Sequence, residues 1–222
     1  MFPVPAFVLM FFLSPSFAQV SYTPAVRNTY DSVYRKLDAR LTNMVTNPEN
    51  KIKGIALLTI FRVDTLNKQD LLANSSARDT STIAGYTPEK ILNPDIMIGK
   101  AKVSDTSLVL SFSPWFMLGE EIRHVIKGNT VETTYQLWNK TDKVFKTDSG
   151  IQDSRNIDIA AQARLVLSDS DAVVGETLYG SAETTTRQYA ELHNANFKNG
   201  ILQLRVTYNY VFKLFVHKDD GY

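Results

Sequence analysis

The sequence predicts a mainly β fold, an antiparallel meander of about nine strands closed as a barrel or folded as a two-layer sandwich, with one N-terminal amphipathic helix. Three observations predict it. From Gly200 to Lys218, Leu202, Leu204, Val206, Tyr208, Tyr210, Phe212, Leu214 and Val216 fall on every second position, with mostly polar residues between them. Turn signals at Asp105-Thr106 and Gly128-Asn129 divide the middle of the chain into hairpins that each collect their apolar residues on one face. Tyr30, Tyr34, Leu37, Leu41 and Met44 recur at helical spacing, with Arg35, Lys36, Asp38 and Arg40 between them.

Composition sets the bounds. With 222 residues, 44% hydrophobic and 21% charged, the chain can bury a single sizeable core. A net charge of +1 lacks the strongly basic balance that by itself points to nucleic acid, and no nucleic-acid partner is expected. The absence of cysteine removes disulfides, thiolate metal sites and a cysteine nucleophile. Stability must therefore come from packing, and for an exported chain this composition fits a bacterial periplasm or cell surface.

The chain opens with an apolar run from Ala6 to Leu13, then Ser16-Phe17-Ala18, which reads as an export signal over residues 1–18 cut after Ala18. A single β-rich domain is expected over 19–222. After a short polar lead the helix is expected over about 28–46, capped by Asn28 and stopped by Asn47-Pro48, and set on a sheet or in one end of a barrel. Gly54 to Val63 is apolar on both faces: Ile55, Leu57, Phe61 and Val63 on one, Ala56, Leu58 and Ile60 on the other. Such a strand is buried on both sides, here beneath the helix.

Asp64 to Pro94 is a long polar connection with a helical turn at Thr87-Pro88-Glu89, of a length usually kept to cover or bind something. The first hairpin then sets Val103 opposite Leu108, Ala101 opposite Leu110 and Gly99 opposite Phe112. The second sets Ile126 opposite Val131, His124 opposite Thr133 and Ile122 opposite Tyr135. Between them Ser113-Pro114-Trp115-Phe116 reads as a corner filled by aromatics.

Asn139 to Asn156 is polar and reads as a surface loop. Ile157 to Leu167 alternates cleanly, and Ser168 to Asp171 turns it back into a weaker strand through Val174 and Leu178. A two-residue turn at Asn199-Gly200 sets Tyr189 opposite Tyr210, Glu191 opposite Tyr208 and His193 opposite Val206. A Glu and a His then land on an apolar face, unless a bulge near Asn194 shifts the register. The last strand, about 55 Å if straight, is too long not to bend, bulge or serve two sheets.

Chemistry-bearing motifs are few. Of the three histidines, His124 follows Glu120-Glu121 on a strand, where residues three apart do not share a face, and His217 lies in a polar tail. No metal and no cofactor are expected. No nucleophile elbow, phosphate loop or dinucleotide fingerprint occurs, and the strand carboxylates Glu120, Glu132, Glu176, Glu183 and Glu191 read as solvated faces.

The expected function is therefore non-catalytic: an exported binding or structural module of the bacterial cell envelope, in the periplasm or at the cell surface. Its partner would be an apolar or amphipathic small molecule near Tyr135, Tyr189, Glu191, His193, Tyr208 and Tyr210, or an envelope protein. The main alternative is a small outer-membrane β-barrel, since short turns at one end and long loops at the other also describe one. A carboxylate-dependent hydrolase ranks third.

Overall fold

The computed structural model describes residues 18–50, 52, 54–65, 95–114, 119–138, 143–147, 150–153, 156–193 and 201–219. In chain order the elements are β1 (Ala18–Tyr22), α1 (Val26–Tyr34), α2 (Ala39–Thr46), a 3-10 turn (Pro48–Asn50), β2 (Gly54–Thr65), β3 (Asp95–Val103), β4 (Leu108–Pro114), β5 (Glu120–Lys127) and β6 (Thr130–Trp138). There follow β7 (Lys143–Thr147), β8 (Gly150–Asp153), β9 (Asn156–Leu167), β10 (Thr177–Thr186), β11 (Tyr189–His193) and β12 (Ile201–Lys218).

The fold is a barrel. Pairing runs β10-β9-β1-β6-β5-β4-β3-β2-β12, and β12 pairs back onto β10 to close the ring. The strand β11 continues along β12 beyond β10 and carries the β7–β8 hairpin on its other edge. All pairings are antiparallel except β1 with β9 and β3 with β12. The barrel interior is filled: Tyr208, Phe112, Phe212, Leu110, Ile122 and Ile157 are fully buried there. It is a packed core of the kind small barrels form.

Both expected hairpin registers are found, with Val103 opposite Leu108 and Ile126 opposite Val131. Turn chemistry fixes them, as at Gly128, where φ is 56°. The long β12 serves several neighbours, pairing with β10 and β11 along one side and with β2 and β3 along the other. Its register against β2 shifts between Asn209 and Tyr210 through a bulge in β2. The extra residue is Thr59, whose hydroxyl donates to the Asn209 carbonyl at 2.9 Å.

That bulge corrects the expected faces of β2. Ahead of it Ala56 and Leu58 point into the barrel and Ile55 and Leu57 point out, whereas past it Phe61 and Val63 point in. One inserted residue inverts the alternation of everything after it. The outward Ile55 and Leu57, with Ile96 and Val211, form a second core under Tyr30 and Leu41 of the helices. This is why β2 is apolar on both faces.

The single expected helix is two helices. It begins at Val26, ahead of Asn28, and breaks at residues 35–38, because the Asp38 carboxylate accepts from Leu41 N at 2.8 Å and caps a new start. Asn47-Pro48 ends the second helix as expected.

The nine expected strands are joined by three others. One is β1, read as a polar lead, which wedges between β6 and β9 with Val20 opposite Leu165. The remaining two are β7 and β8, in the stretch read as a surface loop. In the β9–β10 connection Val174 is an exposed turn residue, and the return strand starts only at Thr177.

The register read from Asn199-Gly200 is also corrected. Tyr189 lies opposite Leu204 rather than Tyr210, and Glu191 opposite Leu202 rather than Tyr208; His193 is registered with Lys143 of β7. The cause is competition for one edge. Along that side of β12, β10 already places Ala182 opposite Tyr210 and Thr184 opposite Tyr208. The shift is even, so Tyr189 keeps its inward face. The Asn199-Gly200 turn, Thr87-Pro88-Glu89, Trp115 and Phe116 lie outside the described residues.

Candidate functional site

Two polar layers interrupt the apolar interior. In the first, His124 on β5 and Thr133 on β6 are cross-strand partners, and His124 Nδ1 lies 2.8 Å from the Thr133 hydroxyl. His124 Nε2 meets the Tyr210 hydroxyl from β12 at 2.5 Å, and Thr184 of β10 reaches the same hydroxyl at 3.4 Å. Burial lowers the His124 pKa to about 3, so the imidazole is neutral at physiological pH. Both of its nitrogens are used inside the core, by the Thr133 and Tyr210 hydroxyls.

The second layer lies toward the end of the barrel where β5 begins and β6 ends. Tyr135 donates its hydroxyl to Glu120 Oε2 at 2.5 Å, and Tyr208 donates to the same oxygen at 3.2 Å. Their rings lie 6.0 Å apart, and Tyr189 approaches Tyr135 at 6.5 Å. Burial, reinforced by the Glu120 charge and neighbouring tyrosines, raises the Tyr135 and Tyr208 pKa values well above the ordinary phenol value. Both stay protonated and act as donors, holding the Glu120 carboxylate at the barrel end.

The barrel has two unlike ends. Strand ends flanking 66–94, 115–118, 139–142, 154–155 and 194–200 all meet at the Glu120 end, while the turns at 104–107, 128–129 and 168–176 sit at the opposite one. The connection 66–94 thus attaches at the end of the Glu120–tyrosine layer, and the helical connection from β1 to β2 at the opposite one.

Of the residues singled out in the sequence, Tyr135, Tyr189 and Tyr208 come together and Tyr210 belongs to the histidine layer. Glu191 is registered with Leu202 and His193 with Lys143 on the two neighbours of β11, and their side chains lie outside the described residues. The group the sequence reading missed is Glu120. Its signal was present, since Glu120 alternates with Ile122 and His124 and so shares their inward face. No family model, curated protein or solved structure matches the chain.

Proposed function

We propose that the chain is an exported, non-catalytic binding or structural module of a bacterial cell envelope, acting in the periplasm or at the cell surface. The observation that carries the reading is the division of the barrel wall. Inside it is apolar and filled; outside it bears exposed Lys100, Arg123, Glu132, Asp158, Arg164 and Glu183. A lipid-facing wall needs the reverse arrangement, and each cation near the bilayer midplane costs about 2–4 kcal/mol. This favours a water-facing barrel over an outer-membrane one.

The ligand site we assign to this module is the Glu120 end, where a carboxylate held by two phenols underlies the attachment of the connection 66–94. Its ligand is apolar or amphipathic, with a donor for Glu120. The test is a thermal-shift screen of the purified 19–222 protein against amphipathic amines, amides and alcohols, repeated with Glu120→Gln and Tyr208→Phe. Hits that lose at least half of their shift in both variants support the site. Hits that keep their full shift in both place the ligand elsewhere.

A further inference from the structure

A second site lies on the outer wall. Between the helices and the barrel is a cavity of about 460 Å³, within the size range of small-molecule sites, whose apolar lining includes Tyr34, Val45, Ile52 and Phe215. Two opposite charges also line it, Asp31 of α1 and Lys213 of β12. Neither takes part in an ion pair among the described residues, where the pairs formed are Arg62–Asp64 and Lys102–Asp219. The Lys213 ammonium stands 5.7 Å from the Tyr179 ring, and Tyr34 stacks on Tyr30 at 5.9 Å, so the charges are set among aromatic faces.

The surroundings are apolar where a chain would leave the cavity. Among the described residues the exposed large hydrophobics are Val173, Val174 and Phe215. The turn carrying both valines is held to the end of β12 that carries Phe215: Gly175 N donates to Val216 O at 3.0 Å and Val216 N to Glu176 O at 2.9 Å.

We propose that this cavity binds a zwitterionic amphiphile, a single-chain molecule whose head carries both an ammonium and a phosphate or carboxylate. The ammonium is received by Asp31 and the Tyr34 ring, the anion by Lys213, and the chain runs over Phe215 toward Val173 and Val174. A head of one sign would satisfy one of the two charges and face the other as a repulsive neighbour.

Octylphosphocholine, octanoate and octyltrimethylammonium, each below its micelle concentration, supply the test by calorimetric titration of the 19–222 protein. The zwitterion is expected to bind about tenfold or more tightly than either singly charged probe. Lys213→Gln should weaken the zwitterion and octanoate and spare octyltrimethylammonium; Asp31→Asn should weaken the zwitterion and octyltrimethylammonium and spare octanoate. Both residues are exposed, so neither change threatens folding, and Val45→Phe, which fills the cavity, should weaken all three. Equal affinities for the three probes, or variants that weaken all probes alike or none, overturn the proposal. The Glu120 end is tested by different variants, so failure here leaves that reading standing.

Discussion

His124 makes the fold acid-sensitive in a defined window. Its pKa is about 3 in the folded protein against 6.5 in the unfolded chain. The unfolded state therefore binds the extra proton, and the stability that neutral His124 provides is complete above pH 6.5 and lost progressively as pH falls toward 3. The slope is at most about 1.4 kcal/mol per pH unit. Chemical denaturation between pH 7.5 and 4.5 should show this loss. The His124→Gln variant, less stable at neutral pH because it disturbs a buried network, should show a curve flatter by up to that slope; parallel curves would exclude His124 as the group responsible.

Gly180 is a second residue on which the interior depends. It lies opposite Phe212, whose ring occupies the place of a Gly180 side chain, so that a Cβ there would overlap the ring. Gly180→Ala is expected to cost about 1–3 kcal/mol, measured by urea denaturation. A neutral result would mean that Phe212 moves aside without loss. Residue-level reading of the sequence saw the His124–Thr133 pair, because adjacent strands declare their partners through a tight turn. It did not see Tyr210 meeting His124, since β12 and β5 face each other only across the closed barrel.

At the scale of elements, what the sequence made legible followed the length of the connections. The hairpins turning at Asp105-Thr106 and Gly128-Asn129 were read to the residue, and the alternation of β9 and β12 gave their inward faces, whereas the register from Asn199-Gly200 was misread. The helix stripe was read correctly, but the break was not, because Asp38 looks like an ordinary surface charge until its cap to Leu41 is seen. The bulge at Thr59 and the edge competition on β12 are tertiary facts: both depend on how strands distant in sequence pair along β12. Asp38→Ala removes the cap that separates α1 from α2, and it should cost about 1 kcal/mol with the barrel core intact. A drop in melting temperature with unchanged near-ultraviolet circular dichroism is the expected signature, whereas loss of the tyrosine signal would show that the cap supports the barrel itself.

For the molecule as a whole, one arrangement links fold to function. Nine strands close the barrel around a filled interior, two short helices cover an apolar strip of its outer wall formed by Ile55, Leu57, Ile96 and Val211, and charged residues are exposed elsewhere on that wall. In the proposed function the barrel is a support that carries ligands at its end and on its flank, with the two polar layers hydrogen-bonded inside it. The candidate site was only partly legible: three of its tyrosines were named from alternation, while Glu120 was passed over as a solvated carboxylate.

Sequential extraction of bacterial cells expressing the full-length chain, with salt, then carbonate, then detergent, tests the water-facing wall most directly. The account predicts release before detergent as a protein that begins at Gln19. Retention until detergent, with a mobility on gels that changes on heating, would contradict it and mean that the charged outer wall described here meets lipid.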